Sequence, residues 1–592
     1  MKNLFLGNEA VARGLYESGC RLVSSYPGTP STEITEYAAK YDDIYAEWAP
    51  NEKVAMETAI GASFAGARAF CAMKHVGLNV AADPLFTASY IGVNGGLIIA
   101  VADDPAMHSS QNEQDSRNYA KAAKIPMLEP SNSQECKDFI KLGYEISETF
   151  DTPVLLRLTT RVAHSRSIVN TNERVEPPIK PYKKNPAKNV MLPAFARQKH
   201  LVVEKRTLDL ASYAQNSGIN TVEFNDKDLG IITSSSCYNY AKEVFGNKAS
   251  YLKLAMVYPL SEQQIKDFAA SVKTVLVIEE LDDIIESFCK NIGVNVLGKD
   301  IFPLFYEFDQ KIIADKLLNS DLFPEDLKAK IAKPNSYTDC FENLPIRPPA
   351  MCCGCPHRGL FYALKKEGVY VSGDIGCYTL AASAPLQMMD TCVCMGASVS
   401  ALHGYNKVLK DKSESKSVAV IGDSTFIHSG ITGLINIAYN KTNSVVIILD
   451  NSITGMTGHQ QNPTTGVTLK GDMTTSVDLE ALCRAVGINN ISVVDPYDID
   501  ASLKVIHQEL INDGPSVIIS RRPCALLKSV KRLAPLIVKE DDCIGCKSCL
   551  RIGCPAISFK NKKAVIDKDQ CVGCETCVSL CPKNAISKQE GF

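Results

Sequence analysis

At 592 residues the chain is too long to fold around one hydrophobic core, and the usual domain size predicts about four domains. Hydrophobic residues make up 45% of it, and 63 Lys and Arg balance 66 Asp and Glu, which argues against a nucleic-acid-binding or membrane-surface protein. The most apolar run, Gly95 to Ala102, is too short to span a bilayer and predicts a buried strand. The N-terminal MKNLFLGNEAVARG lacks the apolar stretch of a signal peptide, so the sequence predicts a cytoplasmic protein that does not interact with membranes.

The N-terminal region predicts strands that lead through turns into helices. The strand-like CRLVSSY runs into SYPGTPSTEI, a Pro-Gly turn before a helix that Ser31 or Thr32 would cap. In WAPNEKVAMETAIGASFAGARAFCAMK, Glu52 opens a helix rich in Ala and Gly, and an apolar strand follows. By itself, Glu52 could simply complement the dipole of that helix.

The next segments predict a connection and a smaller domain. Asn172 to His200 is rich in Pro and Lys and predicts an extended connection with no core of its own. Further on, LGIITSSSCYNYAKEVFG and TVLVIEELDD each predict a strand followed by a helix, which is typical of an α/β domain.

The segment from Ser417 to Gln460 predicts a strand at Val418 to Ile421, a helix from about Ser429 to Tyr439 and a second, parallel strand at Val445 to Leu449. Asp423 follows the first strand and Asn451 follows the second, so both are expected at the carboxyl edge of the sheet, where such sheets bind ligands. A carboxylate and an amide carbonyl suit a hard cation such as Mg²⁺, with diphosphate oxygens completing its shell. A Gly-Asp turn and an unrelated strand-end asparagine are the alternative.

The C-terminal tail contains two cysteine runs, each followed by proline. The second run has the spacing C-x2-C-x2-C-x3-C-P, whereas the first has four residues, LRIG, before its last cysteine. In a crossed pattern, the last cysteine of each run ligates the other [4Fe-4S] cluster. That pattern predicts two ligand sets: Cys543, Cys546, Cys549 and Cys581 for cluster 1, and Cys571, Cys574, Cys577 and Cys554 for cluster 2.

Zinc knuckles are the alternative for the tail, but zinc sites often include histidine, and neither run contains one. The tail resembles bacterial two-cluster ferredoxins. Because the chain has 22 cysteines and no apparent signal sequence, they are expected to be thiols or metal ligands in a reducing, anaerobic cell.

The middle and N-terminal motifs resemble those of thiamine-diphosphate enzymes, and more closely 2-oxoacid:ferredoxin oxidoreductases. The segment from GDSTF to MTGHQ is similar to the Gly-Asp-x … Asn signature, and SYPGTPSTEI is similar to the Tyr-Pro-x-Thr-Pro-Ser stretch that opens their pyrimidine domain. The resemblance is closest to the α subunit of indolepyruvate ferredoxin oxidoreductases. It is carried by NEKVA, MKHVGLNVAADPL, DDPAMHSSQNEQDSR, CCGCPHRG and GDIGCYTL, in family order along nearly the whole chain.

The resemblance implies roles for individual residues on the pyrimidine side. Glu52 would be the acid that activates the cofactor through its aminopyrimidine ring, with Glu57 as a less favoured alternative. Thr29 would face the carboxyl group of the substrate. His108 and Arg117 are candidates for binding the same carboxylate, although His108 could equally be structural.

On the diphosphate side, the resemblance implies that Asp423, Asn451 and the backbone carbonyl of Ile453 bind the metal. Gly422 would let the backbone approach the phosphates, and Ser424 stands where many members have glycine. CCGCPHR by itself suggests a metal site, but the resemblance places it at the entrance of this domain. The residues expected to line the cofactor pocket there are Cys355, His357 and Cys377, although Cys377 could instead belong to the core.

The implied fold is α/β, with two thiamine-diphosphate-type domains on parallel sheets, a smaller α/β domain between them and an α+β ferredoxin-like tail. The expected bounds are 1–165 for the pyrimidine domain, 166–199 for the linker, 200–334 for the small domain, 335–534 for the diphosphate domain and 535–592 for the tail.

The implied reaction is oxidative decarboxylation of aryl 2-oxoacids, chiefly indolepyruvate, with coenzyme A as cosubstrate. Its products would be the aryl-acetyl-CoA, CO2 and reduced ferredoxin. A separately encoded β subunit would complete a heterodimer or an α2β2 enzyme. Three alternatives remain open: the same chemistry on another 2-oxoacid, a non-oxidative decarboxylase or carboligase with a structural tail, and a non-catalytic electron-transfer subunit.

Overall fold

The computed structural model describes residues 1–332, 345, 348–409 and 416–588, and the chain divides into two compact units, Met1–Asn343 and Leu344–Phe592. Each unit contains a parallel sheet with helices between its strands, so the predicted α/β fold class is confirmed. No helix in the described ranges is long and apolar enough to cross a bilayer.

The first unit contains thirteen of the strands that the structure describes. They are β1 (Lys2–Leu6), β2 (Leu22–Ser25), β3 (Tyr45–Trp48), β4 (Ala69–Lys74), β5 (Leu97–Asp103), β6 (Met127–Leu128), β7 (Val154–Thr159), β8 (Arg166–Asn170), β9 (Thr221–Glu223), β10 (Leu229–Ser234), β11 (Ser250–Leu254), β12 (Met256–Tyr258) and β13 (Thr274–Ile278). Its α-helices are Gly7–Glu17, Thr32–Ala38, Glu52–Phe64, His75–Val80, Ala82–Ile91, Arg117–Ala123, Ser133–Phe150, Thr160–His164, Pro186–Asn189, Pro193–Asn216, Ser235–Phe245, Glu262–Ala270, Ile284–Asn291, Gln310–Leu318 and Glu325–Lys328.

The main sheet of this unit has the order β12-β6-β7-β5-β4-β2-β3 and is parallel except for β12. Its central strands β4 and β5 are buried along their whole length, which explains why they are continuous apolar runs rather than alternating ones. A second sheet, β13-β10-β11-β9, forms the core of the smaller α/β region.

In the structure, strands from the expected small domain and the expected linker pair with strands of the expected pyrimidine domain. Strand β12, from the expected small domain, adds an antiparallel edge to the main sheet by pairing with β6. Strand β8, from the expected linker, pairs with the N-terminal strand β1, from Lys2 opposite Asn170 to Leu6 opposite Arg166. Within the expected linker, residues 171–185 and the short stretch 190–192 lack regular structure.

The second unit is built on a six-stranded parallel sheet with the order β15-β14-β16-β17-β19-β18. The strands are β14 (Tyr370–Gly373), β15 (Thr391–Cys392), β16 (Ser417–Gly422), β17 (Val445–Asp450), β18 (Asn490–Val494) and β19 (Ser516–Arg521). The helices are His357–Glu367, Ala397–Leu409, Asp423–Thr425, the π-helix Phe426–Gly430, Ile431–Tyr439, Leu479–Ala485 and Ile499–Ile511.

The tail contains two short antiparallel pairs and a 3₁₀ helix. Its strands are β20 (Leu536–Val538), β21 (Ile557–Lys560), β22 (Lys563–Ile566) and β23 (Ile586–Lys588), paired as β20-β23 and β21-β22, and the 3₁₀ helix is Ser548–Ile552. The cysteines lie in the connections between these strands, and several of them belong to the small core of the tail.

Candidate functional site

Glu52 is a buried acid at the first turn of the helix Glu52–Phe64. Asn51 caps this helix by accepting the backbone N–H of Val54 at 2.9 Å, and the Glu52 side chain is only 4% exposed. An ideal Cβ built on Gly77 would lie 2.5 Å from Glu52 Oε1, so the carboxylate lies directly against the helix His75–Val80. Glu57, the alternative acid, is 46% exposed and pairs with Lys53, so its position does not favour a role in a buried site.

Thr29 lies at the carboxyl end of β2, next to the end of β4. The hydroxyl of Ser109 donates to the Thr29 carbonyl oxygen at 3.4 Å. Lys74, the last residue of β4, donates from Nζ to the Ser109 carbonyl oxygen at 2.6 Å. The ends of two neighbouring strands and one loop therefore converge beside the predicted substrate threonine.

The two candidates for the substrate carboxylate have different surroundings. His108 is 46% exposed and lies 3.1 Å from a carboxylate oxygen of Glu307. Arg117 is 1% exposed, and its guanidinium donates to the carboxylates of Asp115 and Glu279 and to the carbonyl oxygens of residues 280 and 282. Such saturation leaves Arg117 in a structural network, and its geometry does not support the predicted role.

The second unit brings Asp423 and Asn451 to the carboxyl ends of the neighbouring strands β16 and β17. Asp423, Asn451 and Ile453 are 2%, 7% and 3% exposed. Burial and the nearby Asp450 raise the pKa of Asp423 to about 7. A divalent cation would hold this carboxylate in its ionised form, and a carboxylate, an amide and a backbone carbonyl are all hard oxygen donors. The donor set fits Mg²⁺.

Polar side chains continue from Asp423 into the loop after β17. Ser424 accepts a hydrogen bond from the Thr454 hydroxyl at 2.9 Å, and Asp423 accepts one from the Thr464 hydroxyl at 3.3 Å. An ideal Cβ on Gly455 would lie 3.5 Å from the Cys377 sulfur and 3.8 Å from the Asn451 amide nitrogen. Cys377 and Asn451 therefore approach the same glycine.

Gly422 is needed for a packing reason that the sequence did not reveal. Its φ of −72° is available to any residue, but a Cβ there would lie 2.9 Å from the ring of Tyr378. Tyr378 in turn packs edge-on against His357, with ring centroids 5.9 Å apart. Burial lowers the pKa of His357 to about 4, so the imidazole is neutral. The structure thus joins His357 to the Gly-Asp turn through Tyr378.

Two cysteines of the tail each have neighbouring thiols from both cysteine runs. Burial raises the pKa of the Cys549 thiol, and its neighbouring thiols are Cys546, Cys581 and Cys543. Burial likewise raises the pKa of Cys577, whose neighbouring thiols are Cys574, Cys554, Cys571 and Cys549.

One cavity is lined by all four cysteines of the second set, so the longer spacing before Cys554 does not keep it from the others. Donors also point at the sulfurs, including the N–H groups of Leu536 to Cys571 at 3.4 Å and of Ala585 to Cys581 at 3.3 Å. In the ranges that the structure describes, no three His, Cys, Asp or Glu side chains are arranged to hold a single metal ion.

A third group of thiols was missed in the sequence. Burial raises the pKa of Cys355 to about 12, and its thiol neighbours are Cys377 and Cys352. Burial raises the pKa of Cys377 to about 11, and its thiol neighbours are Cys524 and Cys352. Thiols that lie near one another in this way could hold a further iron–sulfur cluster, and the signal in the sequence was the C-x2-C spacing of Cys352 and Cys355 in CCGC. Cys355 also lines the tail cavity, so this third cysteine group adjoins the second set.

Three parts of the chain match known family models. Residues 13–223 match the family described as pyruvate flavodoxin/ferredoxin oxidoreductase, thiamine diP-bdg. Residues 374–520 match the C-terminal TPP-binding domain of thiamine pyrophosphate enzymes, and residues 564–587 match a 4Fe-4S binding domain. Thiamine diphosphate and iron–sulfur binding are thus confirmed as properties of the matched domain families.

Relatives match along the whole chain. The indolepyruvate oxidoreductase subunit IorA of Archaeoglobus fulgidus is 40% identical, with 99% of this chain and 97% of the relative covered. The protein of the same name from Pyrococcus abyssi is 40% identical, with 99% and 96% covered. A solved 2-oxoglutarate:ferredoxin oxidoreductase from Magnetococcus marinus is 17% identical, with a TM-score of 0.45, and the match covers 54% of this chain and 65% of that one. On the full-length matches, the chain belongs to the family of indolepyruvate oxidoreductase subunits IorA.

Proposed function

We propose that this chain is the α subunit of an enzyme that oxidatively decarboxylates aryl 2-oxoacids, such as indolepyruvate, with coenzyme A as cosubstrate. The products are the aryl-acetyl-CoA, CO2 and reduced ferredoxin. The carrying observation is that the second unit combines two oxygen-donor side chains at the carboxyl ends of neighbouring strands with a cysteine group that adjoins cysteines of the tail. The names of the full-length relatives favour indolepyruvate as the substrate.

Each part of the first unit has a place in this proposal. Thiamine diphosphate, when bound, supplies carbanion stabilisation, which is the chemistry that loss of CO2 from a 2-oxoacid requires. Glu52 would hydrogen-bond the cofactor's aminopyrimidine, as its burial at 4% exposure and its contact with Gly77 allow. Thr29 would lie beside the substrate.

In the second unit, Asp423, Asn451 and the Ile453 carbonyl would hold Mg²⁺ and, through it, the diphosphate. Gly422 and Ser424 would form the turn beside the phosphates, and His357 would keep that turn in place through its contact with Tyr378.

The cysteine groups account for the oxidative outcome. The third cysteine group reaches from Cys377, beside the glycine that also approaches Asn451, to Cys355 in the tail cavity. The ligand sets we propose are Cys352, Cys355, Cys377 and Cys524 for this group, Cys571, Cys574, Cys577 and Cys554 for cluster 2, and Cys543, Cys546, Cys549 and Cys581 for cluster 1. Ferredoxin would be the final acceptor. Because the relatives are named as subunits, we also propose a separately encoded β subunit in a heterodimer or α2β2 assembly.

The experiment is an anaerobic mixing assay with the chain and its β subunit. Thiamine diphosphate, Mg²⁺, coenzyme A and indolepyruvate are added, and the visible iron–sulfur absorbance is followed together with ferredoxin reduction and the acyl-CoA product. Bleaching that requires both the 2-oxoacid and thiamine diphosphate is expected. Clusters that stay oxidised while aldehyde accumulates would instead identify a non-oxidative decarboxylase.

The substitution Glu52→Gln provides the matched test of the site. It removes the acid but keeps the size of the side chain, so turnover should be lost while the iron–sulfur absorbance remains. Activity near that of the wild type would rule out Glu52 as the activating acid. Bleaching with pyruvate or 2-oxoglutarate but not with indolepyruvate would keep the reaction and change the substrate.

A further inference from the structure

Lys74 is a buried cation, and none of the carboxylates in the described part of the chain forms an ion pair with it. Three lysines are buried among the residues that the structure describes: Lys74, Lys137 and Lys253. Lys137 forms an ion pair with Glu17 at 3.1 Å, and Lys253 pairs with Glu135. Lys74 is only 8% exposed, and within the described ranges no acidic oxygen lies within ion-pair distance of it. Since burying an unpaired charge is costly, this lysine needs an anion, and none of the residues that the structure describes provides one.

The nearest acid is already occupied by other donors. Asp104 interacts with Lys74 only at longer range. Its carboxylate accepts the N–H of Ser109 at 2.8 Å, the hydroxyl of Ser110 at 2.5 Å and the hydroxyl of Thr160 at 2.7 Å. The one hydrogen bond described for Lys74 Nζ goes to a neutral carbonyl oxygen, that of Ser109, at 2.6 Å. An ammonium carries three N–H donors, so two remain for a ligand.

Lys74 lies beside the residue that precedes the predicted substrate threonine, and three residues before the glycine that contacts the predicted activating acid. Its stem packs against Gly28, where an ideal Cβ would lie 3.2 Å from Lys74 Cβ, and Gly28 precedes Thr29. The helix that follows Lys74, His75–Val80, carries Gly77, which lies against Glu52. The 2-oxoacid carboxylate must lie in the same neighbourhood if Thr29 and Glu52 have the roles proposed above.

We propose that Lys74 binds the carboxylate group of the 2-oxoacid, with two ammonium N–H groups donating to the carboxylate oxygens. This inference rests on the proposed function and gives it a substrate-anchoring residue. It replaces the prediction for Arg117, whose guanidinium is saturated by protein acceptors, and for His108, which pairs with Glu307 near the surface. Charge-assisted hydrogen bonds of this kind are among the strong ones in proteins.

The charge state of Lys74 makes the proposal testable by pH. Burial lowers the pKa of Lys74 to about 8, and Asp104 partly opposes that effect. The adjacent His75 is the other titratable group near it, and burial lowers the pKa of that imidazole, so it is neutral over the same range. Affinity for the carboxylate should therefore be full below pH 8 and fall as the pH rises through the pKa of Lys74.

The experiment compares Lys74→Met and Lys74→Arg with the wild type in the complete enzyme. KM and kcat for indolepyruvate are measured from pH 6.5 to 9.5, and the iron–sulfur absorbance is recorded as a check on folding. The matched control is Lys253→Met, which removes an equally buried lysine that already has a carboxylate partner. Binding of indoleacetate and of its neutral amide, measured by calorimetry, provides a readout that does not depend on turnover.

In Lys74→Met, KM should rise roughly 10- to 100-fold with a smaller change in kcat, because the substitution removes the charge-assisted hydrogen bonds of the ammonium group. In the same variant, the affinity for indoleacetate should fall by a similar factor, whereas the affinity for its neutral amide should not change. Lys253→Met should keep the wild-type KM. An unchanged KM and unchanged indoleacetate binding in a folded Lys74→Met enzyme would overturn the proposal.

If Lys74→Met does not fold, Lys74→Arg decides the question. Because arginine stays protonated, the loss of affinity above pH 8 must disappear, and an unchanged alkaline decline would overturn the proposal. A wild-type enzyme that turns over no 2-oxoacid would contradict the proposed function itself. That failure can be distinguished from a failure of the Lys74 proposal, because the preference for indoleacetate over its amide is measured by binding and does not require turnover.

Discussion

The carboxylate of Glu52 lies against the backbone of Gly77, where an ideal Cβ would be 2.5 Å from Oε1 and 2.6 Å from Cγ of the acid. Glycine is therefore needed at this position in the helix His75–Val80 because of the neighbouring carboxylate, not because of a turn. The helices His75–Val80 and Glu52–Phe64 therefore pack closely against each other where Gly77 meets Glu52.

The substitution Gly77→Ala should disturb the acid without removing it. A methyl group 2.5 Å from Oε1 must displace the Glu52 side chain, and a shift of about 1 Å in a catalytic group can cost roughly 100-fold in rate. We expect thiamine-diphosphate-dependent ferredoxin reduction to fall by about that factor while the iron–sulfur absorbance is unchanged.

Gly61 provides the control, because it lies in the helix Glu52–Phe64 and an added Cβ there would meet no atom within 4 Å. Gly61→Ala should leave turnover unchanged and stabilise the protein by about 0.5–1 kcal/mol through helix propensity. Full activity in Gly77→Ala would mean that the position of Glu52 does not matter for catalysis.

The parts of the fold with strong local patterns could be predicted from the sequence. Strands expected at Val418 to Ile421 and Val445 to Leu449 are found as Ser417–Gly422 and Val445–Asp450, because runs of β-branched apolar residues favour a buried parallel strand. The helix expected from about Ser429 begins earlier, at Asp423, and passes through a π-helix at Phe426–Gly430. A single π-helical turn does not change the spacing of apolar residues in a recognisable way, although such turns often occur at functional sites.

Features that depend on distant residues could not be predicted. Arg117 donates to Glu279, which lies 162 residues later in the sequence. Because this partner is not apparent from the sequence, Arg117 was predicted to bind the carboxylate of the substrate. The four thiols of the third cysteine group come from three separate segments, and only Cys352 and Cys355 are close in sequence. Lys74 could not be identified from the sequence, because whether a buried lysine forms an ion pair depends on the three-dimensional structure.

Arg117 should matter for stability rather than for substrate binding. Burial by itself would raise the pKa of Asp115, but the guanidinium groups of Arg117 and Arg157 outweigh it and lower that pKa to about 2. Arg117→Met would leave Asp115 and Glu279 buried without this cation, which should destabilise the first unit by about 3–5 kcal/mol. Denaturant unfolding followed by circular dichroism measures the loss.

The control for Arg117 is Arg21→Met, because Arg21 pairs with Glu176 at the surface, with both side chains more than 40% exposed. Such an exposed pair should contribute no more than about 1 kcal/mol. A large rise in KM for the 2-oxoacid in Arg117→Met, with stability unchanged, would restore Arg117 as the substrate ligand.

Cys554 should be a ligand of the second tail cluster despite its longer spacing. It lines the tail cavity together with Cys571, Cys574 and Cys577, and the nearby Cys353 lines the same cavity. Cys554→Ser should remove about four iron atoms per chain, the content of one [4Fe-4S] cluster, whereas Cys353→Ser should remove none. Iron analysis and electron paramagnetic resonance of the reduced protein measure both, and the opposite pattern would make Cys353 the fourth ligand.

The third cysteine group should add a cluster to the two in the tail. If its four thiols bind a [4Fe-4S] cluster, the intact chain should contain about twelve iron atoms rather than about eight. Cys524→Ser should lower the content to about eight, and the tail clusters, reduced with dithionite, should keep their spectra. In Cys524→Ser, substrate should no longer reduce the tail clusters at the wild-type rate, because the third cysteine group, which includes Cys377 beside Gly455, would no longer hold an electron carrier.

The control is Cys483→Ser. Cys483 is a buried thiol on the helix Leu479–Ala485 that contacts none of these groups, so its substitution should leave the iron content unchanged. About eight iron atoms in the wild type, with normal activity, would show instead that these four thiols serve the pocket without metal.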